Sequence, residues 1–258
     1  MHEVIVICIA AFITSLLTFF TGFGLGTILT PVFAIFFPID LAIALTGVVH
    51  FLNNLFKLSL IGMKADKQVV MRFGIPAFIA AIAGAYLLVF INDLPAIHTY
   101  ILNETIHSIT PVKLVVAALL IFFALVESIP YFKKIQFDRD KLVAGGILSG
   151  FFGGLSGNQG ALRSAFLIRS GLDKEAFIAT GIVIACLVDL SRLGIYTTRF
   201  LKTGLQDVIG LVIVATAAAF LGAYIGNRLL KKITLNVIQV IVTAMLIILS
   251  LALASGIL

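Results

Sequence analysis

Apolar residues run in long unbroken stretches along this chain, and polar residues gather in short connecting segments. Residues 4–37 are apolar throughout. As one helix they would measure roughly 50 Å against a hydrocarbon layer of about 30 Å, so they are expected to break. The natural place is the run from Gly22 to Gly26, which gives a segment at 4–21 and a shorter one at 25–37 that carries Pro31 and stops at Pro38. Further spans are predicted at 41–61, 73–91 and 112–128, joined by a basic loop from Lys64 to Arg72 and by a polar, mildly acidic connection at 92–111. Beyond a basic linker the plan repeats, with a broken segment at 142–168 and spans at 175–197, 206–227 and 235–256.

The repeat is visible residue by residue. At an offset of 134, Gly26 pairs with Gly160, Ala42 with Ala176, Thr46 with Thr180 and Gly47 with Gly181. Gly84-Ala85-Tyr86 recurs as Gly222-Ala223-Tyr224. The fold class that follows is an all-α polytopic membrane protein. It is built from two homologous halves of four hydrophobic elements each, the first of each half broken or re-entrant. The boundaries are a first repeat at 1–132, a cytoplasmic basic linker at 133–141 and a second repeat at 142–258.

Composition agrees with the pattern. Of 258 residues 61% are hydrophobic and 12% charged, with a mean hydropathy of +1.18, where soluble domains carry about a quarter charged residues. The net charge of +6 is spread through short loops, so it reads as a topology signal and not as a nucleic-acid surface. If the broken elements are re-entrant hairpins, twelve Lys and Arg, among them Lys67 and Arg139, fall on one face. Only Lys113, Arg199 and Lys202 fall on the other. That asymmetry places the basic face in the cytoplasm, both termini outside, and the two halves in opposite orientation as inverted repeats. A tilted, kinked crossing stays open as the alternative. The span at 4–21 lacks the basic flank of a signal peptide and is kept as structure. Cys8 and Cys186 both sit in apolar spans, so no disulfide framework or metal quartet is available, and no metal or cofactor is expected.

The stretch Gly153-Gly154-Leu155-Ser156-Gly157-Asn158-Gln159-Gly160-Ala161-Leu162-Arg163 sets polar groups and a charge inside an apolar segment. Four glycines in eight residues weaken a helix, and backbone groups released there need partners that hydrocarbon does not supply. A half-helix restarting near Gly160 would point free amides at the break, with Arg163 in its first turn, and would suit an anion. Close helix packing by the glycines is the bland alternative. Arg163 either binds an anion or pairs with a carboxylate, for which Asp189 is the candidate, and the two can coexist. Asp189 and Arg192 lie one turn apart and read as a local ion pair, with proton carriage by Asp189 as the second reading. His50, Asn53, Asn54 and Lys57 share one helical face. Interhelical hydrogen bonding and the wall of a midplane site are their two readings, and His50 alone could gate a proton. His98 and His107 lie in the polar connection, where nothing completes a metal set, and Asn103-Glu104-Thr105 matches a glycosylation acceptor of a kind that arises by chance.

The run from Gly22 to Pro31, with Thr46-Gly47 fifteen residues on, resembles the glycine-rich signature of the sulfite exporter TauE/SafE family, and so does its second copy. Two departures stand out: Leu25 where that pattern has glycine, and Ala165 where the second copy's proline would fall. The resemblance implies a bacterial inner-membrane transporter of small anions such as sulfite, sulfonates or thiosulfate. The expected substrate contacts are Gly24, Gly26, Ser156, Gly157, Asn158, Gln159, Gly160 and Arg163 at the breaks. Asn54, Lys57, Asp189 and Arg192 are expected on the facing helices. The expected partners are the lipid bilayer and the anion, with proton coupling and a homo-oligomer both left open. A channel would line a path with rings of like residues, which are not visible here. An intramembrane enzyme or scaffold is the third class. The chain displays no P-loop, nucleotide motif or nucleophile–base pair, which speaks against catalysis and ATP-driven transport.

Overall fold

The structure is a computed structural model that describes residues 2–17, 25–203, 208–229 and 236–258. Helix α1 spans His2–Leu17, α2 Leu25–Ala34 and α3 Ile39–Ile61. The short helix α4, Lys67–Val69, runs through a π-turn at Val70–Gly74 into α5, Ile75–Asn92, as one continuous apolar rod. Asp66 starts that rod by accepting the Val69 amide at 2.8 Å, so the basic loop expected up to Arg72 is shorter and already helical from Lys67. In the same manner Thr110 caps α6, Pro111–Ser128, with proline at its first turn. Then come α7, Pro130–Lys133, and α8, Leu142–Ser156. They are followed by α9, Gly160–Leu167, α10, Lys174–Thr203, α11, Ile209–Leu229, and α12, Asn236–Ala254. Among the described residues five helical segments are long and apolar enough to cross a bilayer, and the chain is a polytopic, predominantly helical membrane protein.

The fold is not wholly helical. The polar connection at 92–111 holds a β-hairpin, β1 His98–Leu102 and β2 Thr105–Ile109, in which Tyr100 stands opposite His107. Its turn is Asn103-Glu104, both at positive φ, 49° and 65°. This is the two-residue geometry usually signalled by Asn-Gly, and the missing glycine hid it from a sequence reading. The hairpin is fastened to the end of α12, where the Tyr100 hydroxyl donates to the Ser255 carbonyl at 2.7 Å.

Two close helix pairs organise the rest. Gly146, Gly150 and Gly154 recur every fourth residue on α8 and lie directly on the backbone of Phe73, Ala77 and Ala81, while Gly84 of α5 lies on the Phe151 carbonyl. Numbers rise together on both partners, so α5 and α8 run parallel. Gly222 of α11 meets the Phe12 carbonyl of α1 as Gly84 meets Phe151, and Ala77, Ala81 and Gly84 recur as Ala215, Ala219 and Gly222. Small residues at this spacing let backbones approach, which is how helices associate where the hydrophobic effect gives no drive. Gly153 and Gly154 are thus helical packing residues, and of the glycines expected to break this element only Gly157 does so.

Helix α3 packs on α10 in the opposite sense. Gly47 faces Arg192 and Leu193, His50 faces Asp189, the Asp66 amide donates to Thr180 Oγ1 at 2.8 Å, and exposed Lys64 pairs with Glu175. Helix α9 turns back beside α8. Phe166 covers Gly145 and stacks on Phe137 at 4.1 Å, and the Phe137 amide donates to the Ala165 carbonyl at 3.1 Å. Arg169, just past α9, reaches Gln136 and Asp138, which precede α8. Both ends of the α8–α9 pair therefore lie together.

Candidate functional site

The break between α8 and α9 is three residues, Gly157-Asn158-Gln159. It begins because Gly157 adopts φ +80°, a left-handed conformation open to glycine, while its amide donates back to the Gly153 carbonyl at 2.9 Å. Ser149 Oγ donates to the Gln159 carbonyl at 3.1 Å, and Asn158 Nδ2 donates to Ser156 Oγ at 3.2 Å. Ser156, Asn158, Gln159 and Gly160 are all buried. Helix α9 then restarts at Gly160, as expected; the Arg163 amide donates to the Gln159 carbonyl at 3.0 Å, and the amides ahead of it are those that a helix start leaves without an intrahelical carbonyl.

Helix α2 comes to the same place, while residues 18–24 of the expected first-half break lie outside the described residues. All ten residues of α2 are buried, and Gly26 lies so close that an added Cβ would stand 3.0 Å from the Gly157 carbonyl oxygen. Gly24 lies outside the described residues. The start of α2 therefore faces the break at Gly157 inside the protein, although Gly26 and Gly157 are 131 residues apart in sequence.

Helix α10 supplies the charges. Asp189 and Arg192 are both fully buried, and Arg192 Nε and Nη2 donate to Asp189 Oδ1 at 3.0 and 2.8 Å. The local pair expected from their spacing is present. The pair expected between Arg163 and Asp189 is not: Oδ2 of Asp189 is taken by His50 Nδ1 at 2.6 Å, and Arg163 makes no hydrogen bond or ion pair to Asp189. Helix α3 brings His50, which sequence spacing put on the shared face without a partner, and the shortness of this contact marks a charge-assisted bond. Asn54 Nδ2 lies 3.3 Å from the His50 ring, Asn53 accepts from Ser15 of α1 at 3.2 Å, and Lys57 is 5% exposed.

Both arginines are seated by glycines. A Cβ on Gly47 would be 3.3 Å from the Arg192 guanidinium carbon, and one on Gly181 would be 3.4 Å from Arg163 Nε. These are the two glycines of the repeated Thr-Gly dipeptide, so each half contributes a gap in which the guanidinium of α10 or α9 can lie. Nothing in the sequence assigns that role; it needs the α3–α10 register. Arg192 Nη1 also lies against Gly157, where a Cβ would be 2.9 Å away, which connects the ion pair to the break.

Among the described residues, six of the eleven buried polar atoms without a hydrogen-bond partner belong to residues of the break, α9, α10 and the facing Thr46. Arg192 Nη1, Arg163 Nη1, Asn158 Oδ1, both amide atoms of Gln159 and Thr46 Oγ1 are buried without a hydrogen-bond partner among the described residues. Buried polar groups are otherwise paired at the level of nine in ten, so such a concentration marks a place where a ligand or ordered water belongs. No group of His, Cys, Asp and Glu capable of holding a metal occurs among the described residues. A cleft of about 430 Å³ opens at the other end of α3, beside Asp40, Asn92 and Lys113, and none of the expected site residues lines it.

The family description "Sulfite exporter TauE/SafE" matches residues 7–253, nearly the whole chain, and the chain belongs to that family of membrane transporters. No curated protein and no solved structure matches it.

Proposed function

We propose that the protein is a secondary transporter that carries a small anion across the bacterial inner membrane and holds it where the two breaks meet. The observation that carries this reading is the surplus of positive charge. On α9 and α10, the two guanidiniums of Arg163 and Arg192 lie near one carboxylate, Asp189, and both keep a buried Nη1 without a hydrogen-bond partner among the described residues. An ionised group in so dry a setting is costly unless paired, and a bound anion offsets that cost. Gly26, Gly157 to Gly160, Arg163 and Arg192 form the anion's seat, Ser156 and Asn54 support it, and Lys57 and Asp189 set its charge balance. A guanidinium fork fits a sulfite, sulfonate or carboxylate through two parallel hydrogen bonds, which makes small oxyanions the substrate class.

Saturable flux of radiolabelled sulfite, methanesulfonate and small carboxylates into proteoliposomes tests the reading. Arg163→Lys is expected to lower uptake about tenfold or more, since the planar fork is lost while the charge stays, and to leave the thermal melt close to the parent's because the charge near Asp189 is kept and no side-chain hydrogen bond to a described residue is lost. Equal uptake by parent and variant would move the site away from Arg163, and absence of saturable uptake of every probe by the parent would remove the transport reading itself.

The orientation belongs to the same proposal. Antiparallel α3 and α10, and the return of α9 to the start of α8, support inverted halves with re-entrant first elements, divided at the 133–141 linker. Cysteines placed at Lys67 and Arg139, in a background with Cys8 and Cys186 replaced by serine, are expected to label only from the cytoplasm and a cysteine at either terminus only from outside. Labelling of the termini from the cytoplasm would restore eight simple crossings.

A further inference from the structure

We propose that His50, held by Asp189, is a proton site, and that a proton bound there moves together with the anion, so that the protein is a proton–anion symporter. The inference rests on the anion reading above and adds the coupling ion to it. It starts from how one carboxylate is shared. Asp189 gives Oδ1 to Arg192 and Oδ2 to His50, and His50 Nδ1 at 2.6 Å is the donor because an ionised carboxylate only accepts. The Nδ1 proton is therefore fixed on Asp189, and Nε2 is the atom that gains or loses a proton. At Nε2 the described neighbour is the Asn54 side-chain amide, 3.3 Å away, which does not itself titrate.

Charge bookkeeping then supplies the coupling. With neutral imidazole, His50, Asp189 and Arg192 sum to zero, and a proton on Nε2 raises the sum to +1. Arg192 passes this change to the break, since its Nη1 is unpartnered and lies against Gly157. An anion seated there is held more strongly when the imidazole is charged, and by reciprocity the anion strengthens proton binding. Binding both together also avoids carrying an uncompensated charge through the low-dielectric interior. Other groups lie around it. Lys57, further along α3, is a buried amine that is itself able to bind or release a proton, Arg163 on α9 keeps its charge, Tyr196 on α10 donates its hydroxyl to the Gly154 carbonyl, Cys186 lies one turn before Asp189 on α10, and α2 carries no titratable side chain; a His50→Gln variant separates His50 from Lys57. On α11, α5 and α6 the described ionisable residues, Tyr224, Arg228, Tyr86, Lys113 and Glu127, are exposed or near helix ends.

The test uses proteoliposomes containing the full chain and a lumenal pH dye, with methanesulfonate and sulfate as probes because their own charge is constant from about pH 5.5 to about 8.5. An inward gradient of a transported probe should acidify the lumen, and uptake at limiting concentration should fall about tenfold per pH unit once the imidazole deprotonates. His50→Gln preserves a donor to Asp189 but cannot titrate. It should show pH-flat anion exchange without lumenal acidification, with thermal melting measured alongside. Saturable, pH-independent uptake without acidification in the parent would overturn the coupling while leaving the anion reading intact. Acidification in His50→Gln equal to the parent's would overturn the assignment to His50. If the variant does not fold, the parent's proton flux decides the coupling and Asn54→Leu, which strips the neighbour from Nε2, decides the assignment by shifting the pH midpoint or leaving it in place. Absence of uptake of both probes and of sulfite by the parent would overturn both readings together.

Discussion

Gly154→Ala is expected to cost about 3 kcal/mol or more and to lower the yield of folded protein sharply, because the added methyl would occupy the place of the Ala81 carbonyl oxygen. The overlap is with backbone, so no rotamer change relieves it and α5 and α8 must move apart over their whole glycine-lined contact. Gly150 meets Ala77 in the same way, and its alanine variant should behave alike. Gly194 of α10 is the control, for an added Cβ there meets nothing within 4 Å. Gly194→Ala should be neutral or stabilising by up to about 1 kcal/mol through helix propensity. Thermal melts of the three variants in detergent check the contrast, and equal melting of Gly154→Ala and Gly194→Ala would refute the close packing of α5 on α8.

Asp189→Asn should destabilise by about 3–5 kcal/mol, since it leaves Arg192 as a fully buried cation without its counter-charge. Removing both charges is a different matter. The double variant Asp189→Asn with Arg192→Gln should recover most of the lost melting temperature, because a buried neutral pair demands no charge desolvation. It should nevertheless fail to transport, having lost the guanidinium that lies against Gly157. Melting and uptake therefore separate the structural share of the pair from its functional share. A double variant that melts as low as the single one would show that the pair's stabilising effect is not electrostatic.

How much of this was legible beforehand follows from the range of each interaction. Hydrophobic run length and the overlong apolar stretch at 4–37 determined the membrane class and the position of nearly every helix, and the constant 134-residue offset is the ground for reading two halves. The restart at Gly160 was also readable, since glycine content and polarity at 153–163 are local properties. The β-hairpin was not, because five-residue strands with a glycine-free turn carry little local signal. Nor was the division of labour among glycines. Gly154 and Gly157 look alike in sequence, yet one is a helical contact surface and the other a left-handed break, and only the neighbouring backbone of Ala81 and the Arg192 side chain tell them apart. The same holds for the charges. Sequence spacing correctly paired Asp189 with Arg192 one turn away, but it offered Asp189 to Arg163 as well and left His50 alone. The antiparallel register of α3 on α10, fixed by side chains 139 residues apart, gave the second carboxylate oxygen to His50 and left Arg163 against Gly181 with an open donor. Local periodicity determined what the elements are; long-range packing decided which of their polar groups meet.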